Sequence, residues 1–382
     1  MPQTNAPLVP APGAWGVRVN RLRRGRVLGV NAERPGALEV EVEVEGARAV
    51  AIAYPDVCGP VGAGDVVVLN TTAVALELGT GGLHVVVAVE GGPDTDLSRD
   101  GGRVMKARYT PGQTVVRSVE ETHRDVLEAS PGLRGTPVVV APLHSMLAPI
   151  AAGAKASGDA RVVYVMTDGA ALPGALSRLV ATTRADGLLD GWISSGQAFG
   201  GELEAVTIWT ALLAAVEVLD AEVIVVADGP GNLGTDTTWG VSALAGGHAL
   251  QAATTLQGRP VAALRISFAD ERPRHRGLSH HSRTILREVA TEGVDVAVPT
   301  LEDDAQRATV WDALRADGLE DRHQLVEADG RPALGELERR GIQVRSMGRS
   351  PIDDRAFFLA AGAAGVLAGR IAAAARAWRN RS

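Results

Sequence analysis

The sequence predicts an α/β protein, with an N-terminal small β-barrel followed by a mainly parallel, helix-covered sheet. Two observations carry this prediction. Up to about Val89, short valine-rich runs follow one another with Gly, Pro or Asn between them; beyond Gly102, strand-like runs alternate with Ala- and Leu-rich stretches of helical length. A third observation is size: 382 residues with 46% hydrophobic content suffice for two buried cores. The expected division is a disordered Pro/Ala-rich tail over 1–14, a barrel over 15–100 with a linker near Gly91 to Gly102, and an α/β domain over 101–382.

The barrel strands are read at Arg26–Val30, Leu38–Val44, Ala47–Ala53, Asp65–Leu69 and His84–Val89. In Glu39-Val40-Glu41-Val42-Glu43-Val44 the alternation is strict, so valines should face a core and glutamates water. Five short strands in so few residues suggest a closed barrel of the SH3 or OB type. Its expected role is a scaffold or oligomerisation module ahead of nucleic-acid binding.

In the second region the strands are read at Pro137–Ala141, Arg161–Met166, Glu222–Ala227, Pro260–Phe268, Asp295–Pro299 and Gln324–Glu327, with Gln343–Arg345 as a further candidate. The helices are read at Leu147–Ser157, Leu176–Ala185, Leu203–Leu219, Val241–Leu256, Thr284–Thr291 and Asp303–Ala316, with one more at the C-terminus. Continuous β-branched runs between amphipathic helices mean a parallel sheet buried on both faces.

Composition excludes several function classes. A net charge of −7 gives no support to bulk nucleic-acid binding, and Arg21, Arg23, Arg24 and Arg26 read as a solvated strand edge. Cys58 is the sole cysteine, which removes intrachain disulfides and multi-cysteine metal sites and fits a reducing, cytoplasmic setting. It reads as a buried spectator. Lys106 and Lys155 are the only lysines, and no Gly-Lys-Ser/Thr occurs, so there is no Walker A loop. Met1 to Ala14 lacks the basic start and apolar core of a signal peptide. Ala356 to Gly369 is apolar but short, and Arg370 and Arg376 interrupt its extension, so a surface-packed helix is expected there and no membrane partner.

Ligands of open parallel sheets sit beyond the carboxyl ends of the strands. Those ends read Leu143-His144-Ser145, Thr167-Asp168-Gly169, Asp228-Gly229-Pro230-Gly231 and Ala269-Asp270-Glu271. Each alone is an ordinary βα turn; four together suggest one shared site. Gly229, Gly231 and Gly234 match a Gly-x-Gly-x-x-Gly spacing, but Asn232 to Gly240 is too rich in Gly, Thr and Asp to open a helix, which argues against a Rossmann nicotinamide site. A loop wrapping an anion with backbone amides and the Thr235, Thr237 and Thr238 hydroxyls is the expectation.

Gly200 and Gly201 permit close backbone approach before the helix read from Leu203, with Glu202 and Glu204 as first-turn acids; a metal-ligand or general-base role for Glu202 and Glu204 is the sharper reading, ranked below that structural one. His275, His280 and His281 fall among Arg272, Arg274, Arg276 and Arg283. Imidazoles with Asp270 or Asp168 could hold a divalent metal, yet the arginines speak for an anionic ligand. In the resulting scheme, Gly229, Gly231, Gly234 and Thr235 cradle the anion and Arg274, Arg276 and His275 clamp it. His280 or His281 then moves protons, and Asp168 orients a histidine. The parallel neighbours Glu222–Ala227 and Pro260–Phe268 should bring these loops to one mouth. No cofactor and no particular metal are indicated. No Gly-x-Ser-x-Gly or His-Glu-x-x-His occurs.

Several stretches carry a family resemblance. They include Lys106-Ala107-Arg108-Tyr109-Thr110-Pro111, Met166-Thr167-Asp168-Gly169-Ala170-Ala171-Leu172-Pro173, Gly196-Gln197-Ala198-Phe199-Gly200-Gly201, Gly229-Pro230-Gly231-Asn232-Leu233-Gly234-Thr235 and His275-Arg276-Gly277-Leu278-Ser279-His280-His281. With Gly64-Asp65 to Thr72 they span nearly the whole chain, which resembles an uncharacterised Gram-positive bacterial family, the domain of unknown function 3866 family. Glu202 and Thr207 depart from its Asp and Asn. The resemblance implies no activity; it supports grouping these loops. The functional expectation is an enzyme acting on a phosphate- or carboxylate-bearing metabolite. The alternative is a non-catalytic ligand sensor or a barrel-mediated binding protein, with self-association left open.

Overall fold

The computed structural model describes residues 20–78, 81–96, 101–235, 237–290 and 293–381. The expected tail over 1–14 lies outside them. The chain divides into two compact units, one comprising Met1–Glu33 and Ala37–Thr95, the other Arg34–Gly36 and Asp96–Ser382.

In the first unit, β1 (Leu22–Arg34), β2 (Ala37–Val44), β3 (Ala47–Ala53), β4 (Val66–Asn70) and β5 (His84–Val89) close into a barrel of order β1-β2-β3-β5-β4. Alternation in β2 does what the sequence implies: Val40, Val42 and Val44 are buried with Val27, Val67 and Leu69. Glu39 is the exception, since it too is buried. Glu45 and Gly46 join β2 to β3 at φ of 51° and 77°, the positive values a two-residue hairpin turn needs. The arginine cluster is an ion-paired edge: Arg21 and Arg23 share Glu45, and Arg24 meets Glu90.

In the second unit a hairpin of β6 (Val104–Lys106) and β7 (Thr114–Val116) precedes the main sheet. The sheet strands are β8 (Pro137–Val140), β9 (Val162–Thr167), β10 (Gly191–Ser194), β11 (Leu203–Glu204), β12 (Val223–Asp228) and β13 (Arg259–Ala263). After a small hairpin of β14 (Ile266–Ser267) and β15 (Gly277–Leu278) come β16 (Asp295–Pro299) and β17 (Gln324–Ala328). The order is β11-β10-β9-β12-β8-β13-β16-β17, and every pair is parallel.

Helices cover both faces. One apolar layer joins α3 (Ile208–Glu217), α4 (Ala245–Thr255) and α6 (Asp304–Ala316) to the sheet; the other joins α1 (Leu147–Gly158), α7 (Arg331–Arg339) and α8 (Arg355–Arg379). Two shorter helices, α2 (Arg178–Ala185) and α5 (His280–Thr284), lie at the strand ends. α8 is long and apolar enough to cross a membrane, but 83% of its apolar window is buried. It is a core helix, not the surface helix expected. Its glycines explain how: a Cβ on Gly365 would lie 1.9 Å from Ile150 O, and one on Gly369 2.6 Å from Ala154 O, so α8 and α1 pack backbone to backbone.

Several expectations are corrected. The helix read from Leu203 starts at Ile208, capped by Thr207, because Leu203–Glu204 pairs with β10 as an edge strand. Pro260–Phe268 breaks after Ala263, and Gln343–Arg345 is irregular. The helix read at Thr284–Thr291 begins earlier, at His280, and passes into a π-helical turn over Ile285–Val289; Thr291 lies outside the described residues. β12 and β13 are not neighbours, since β8 runs between them.

Candidate functional site

The chain leaves β8 through α1 on one face of the sheet and leaves the adjacent β12 through α4 on the other. Loops that part to opposite faces open a crevice at the strand ends. Here the crevice is a cleft of about 600 Å³. Pro142 to Ser145 follow β8, Pro230 to Thr235 follow β12, and Arg265, Arg272, Arg274, His275 and His281 follow β13. Arg178 on α2 and Gln343, Arg345, Ser346 and Met347 before α8 complete the wall.

Among the described residues the β12 loop carries no helix before Ser242, as its composition implies. Gly231 sits at φ 85° with open space where a side chain would go, so its backbone conformation requires glycine. Two of the amides expected to cradle an anion are used inside the loop: Leu233 N–H donates to Ser242 Oγ (3.1 Å) and Thr235 N–H to Gly240 O (2.8 Å). Thr235 Oγ1 also lies 2.8 Å from Thr237 Oγ1. Beneath the loop, buried Asp228 accepts from Thr167 Oγ1 (2.6 Å) and Asn232 Nδ2 (3.1 Å). Burial pushes its carboxyl up despite these bonds.

Polar groups at the floor are fixed by their partners. His144 Nδ1–H donates to Asp228 O (3.1 Å), leaving Nε2 to accept from Ser177 Oγ (2.7 Å). Burial lowers this imidazole to about 4. Arg265 is buried, donates to Asp270 Oδ2 (3.1 Å), and has Nη1 3.4 Å from His281 Nδ1. Arg272 grips both Asp270 oxygens, at 2.9 and 2.8 Å. Burial alone would raise Asp270, but these guanidiniums hold it well below the usual carboxylate range. Desolvation brings Arg265 to about 10, still charged at neutral pH.

The three histidines form one cluster, with ring centroids 5.0, 4.8 and 4.2 Å apart. His275 Nδ1 lies 2.8 Å from Ser279 Oγ, which also accepts from the His281 amide. His280 Nε2 and His281 Nε2 are buried without a hydrogen-bond partner. Burial, reinforced by the guanidiniums and, for His281, by His280, lowers His275 to about 3 and His281 to about 4; burial followed by Arg274 lowers His280 too.

Of the candidate site residues read from the sequence, Gly231, Gly234, Thr235, Arg274, His275 and His281 line this cleft, beside His144, Ser145 and Arg272, and His280 packs against the other two histidines. Gly229, Arg276, Asp168, Gly200, Gly201 and Glu202 do not line it. Gly229 packs where a Cβ would meet Ala171 O and Met166, and Arg276 is exposed away from the cleft. Asp168 accepts from the Gln197 amide (2.8 Å) and, among the described residues, bonds no histidine. Gly200 and Gly201 belong to a separate cluster around Glu204. Glu204 accepts from both glycine amides and from Ser194 Oγ, and lies 3.4 Å from the Nζ of fully buried Lys106. Lys106 also donates to Ala198 O and Ala205 O, so this cluster pins the β10–β11 edge. Glu202 instead pairs with Arg184.

Sequence reasoning passed over Arg265, Arg178 and Arg345. Arg265 carried a usable signal, a lone guanidinium inside an apolar run, which is buried only when paired. Arg178 and Arg345 arrive from remote elements and carried none.

A family model described as "Protein of unknown function (DUF3866)" matches residues 50–365, and the chain belongs to that family. No curated protein and no solved structure matches it.

Proposed function

We propose that the chain is an enzyme that binds a phosphate- or carboxylate-bearing metabolite in the strand-end cleft. One observation carries this reading. Arg178, Arg265, Arg272, Arg274 and Arg345 all line the cleft, while among the described residues no carboxylate does. A low-dielectric crevice walled by guanidiniums concentrates anions, and the planar fork suits phosphate and carboxylate. Asp270 offsets part of the charge of Arg265 and Arg272 from below, which keeps them in place without closing the cleft to a ligand. A reducing, cytoplasmic setting is supported by the single cysteine, half-buried Cys58.

A second reading is a non-catalytic anion sensor. It is favoured by the absence, among the described residues, of a carboxylate hydrogen-bonded to His275, His280 or His281. The two separate in one experiment. Thermal melts of the full chain against phosphorylated and carboxylated metabolites should yield stabilising ligands, and Gly231→Val should abolish their effect. Turnover of a stabilising ligand supports the enzyme; saturable binding without turnover supports the sensor. A parent protein stabilised by no anion contradicts both.

A further inference from the structure

We propose that His275, His280 and His281 form a three-imidazole site for a divalent transition ion of the zinc class, at the edge of the arginine-lined cleft. The geometry comes first. One ring nitrogen from each residue can be chosen so that all three lie within 4.8 Å of one another. Some point then lies within about 2.8 Å of all three atoms, so shifts of less than about 1 Å bring them to the roughly 2.0–2.1 Å of a zinc–imidazole bond.

The second observation is independent of that spacing. Two of the three residues present a buried ring nitrogen, Nε2 of His280 and of His281, that has no partner. Buried polar atoms are nearly always satisfied, and two orphaned ring nitrogens within one histidine cluster are what a missing ligand leaves behind. A supporting shell is also in place. Ser279 Oγ lies 2.8 Å from His275 Nδ1; with Nδ1–H donating to it, the Nε2 lone pair is aimed outward, as the outer hydrogen bond of a metal-bound histidine does.

The guanidiniums, which argued from sequence against a cation, are compatible with one once placed. Asp270 is shared by Arg265 and Arg272 and offsets their charge. With Nε2 ligating, His281 carries its proton on Nδ1, so its contact to Arg265 Nη1, already long at 3.4 Å, is given up while Arg265 keeps Asp270. Three imidazoles leave a tetrahedral ion one open position, and His275 and His281 both line the cleft where an anion would take it. The inference does not require the enzyme reading.

The test uses the full chain stripped with a chelator and titrated with Co²⁺, whose visible bands report low-coordinate nitrogen ligation. One ion per chain is expected, displaced by Zn²⁺. His280→Ala and His281→Ala should each weaken binding by more than the roughly 10–100-fold that loss of an outer hydrogen bond costs. His248→Ala, on the exposed side of α4, should change nothing. Should a variant fail to fold, histidine side-chain nitrogen NMR of the parent decides: Zn²⁺ must shift ligating nitrogens of three residues. Absence of a Co²⁺ band, retention of parent affinity in folded variants, or weak binding of several ions would overturn the site. Anion stabilisation of the metal-free parent would meanwhile leave the proposed function standing.

Discussion

His144 should make the α/β unit sensitive to mild acid, and the size of the effect follows from its contacts. Asp228 O can only accept, so Nδ1 carries the proton and Nε2 accepts from Ser177 Oγ, which itself takes the Val180 amide at 3.0 Å. Protonating Nε2 would break that chain and bury a charge. The folded imidazole therefore titrates at about 4, against roughly 6.5 in the unfolded chain. Between these values the unfolded chain holds more protons, so stability is greatest above the upper value and falls as pH drops toward the lower. For this one group the loss between pH 7 and pH 5 is about 2 kcal/mol. Five of the six tryptophans, Trp192, Trp209, Trp239, Trp311 and Trp378, lie in this unit, so urea unfolding followed by tryptophan fluorescence chiefly reports it. His144→Asn keeps a donor for Asp228 O and removes the titration. His275 and His281 add their own acid sensitivity in both proteins, and the difference isolates His144. A variant that loses as much between pH 7 and pH 5 as the parent would refute the argument.

Other perturbations test the frame around the cleft. Lys106→Met strands Glu204 and two carbonyls in the interior and should cost about 3–5 kcal/mol, lowering the melting temperature by roughly 6–10 °C at about 2 °C per kcal/mol; calorimetry checks it. Gly365→Ala drives a methyl into Ile150 O and should destabilise by up to about 3 kcal/mol. Gly335→Ala, on the exposed face of α7 with nothing within 4 Å, should stabilise by roughly 0.5–1 kcal/mol. Paired melts distinguish close packing from propensity. Gly231→Val, forced to a φ of 85°, should cost about 1–2 kcal/mol and still fold.

The barrel and the parallel sheet were legible because period-two alternation and buried β-branched runs are local signals. Val40, Val42 and Val44 announced their face without help from the rest of the chain. Less legible were Gly191–Ser194 and Leu203–Glu204, short strands whose pairing is decided by neighbours distant in sequence. The site was half visible. Glycine spacing and histidine density located Gly231, Gly234, His275 and His281, because each is anchored to a strand end. Asp168 failed as a partner for the histidines because strand order, not sequence order, decides which loops meet. β8 separates β12 from β13, and Asp168 on the far side of β12 turns to Gln197.

The most direct test of the central claim is anomalous diffraction from crystals of the full chain soaked in tungstate at neutral pH. The expected result is a peak inside the cleft, within hydrogen-bonding distance of Arg272 or Arg274 and beside Gly231 to Gly234. A cleft empty of anomalous density, with tungstate only on outer surfaces, would contradict it.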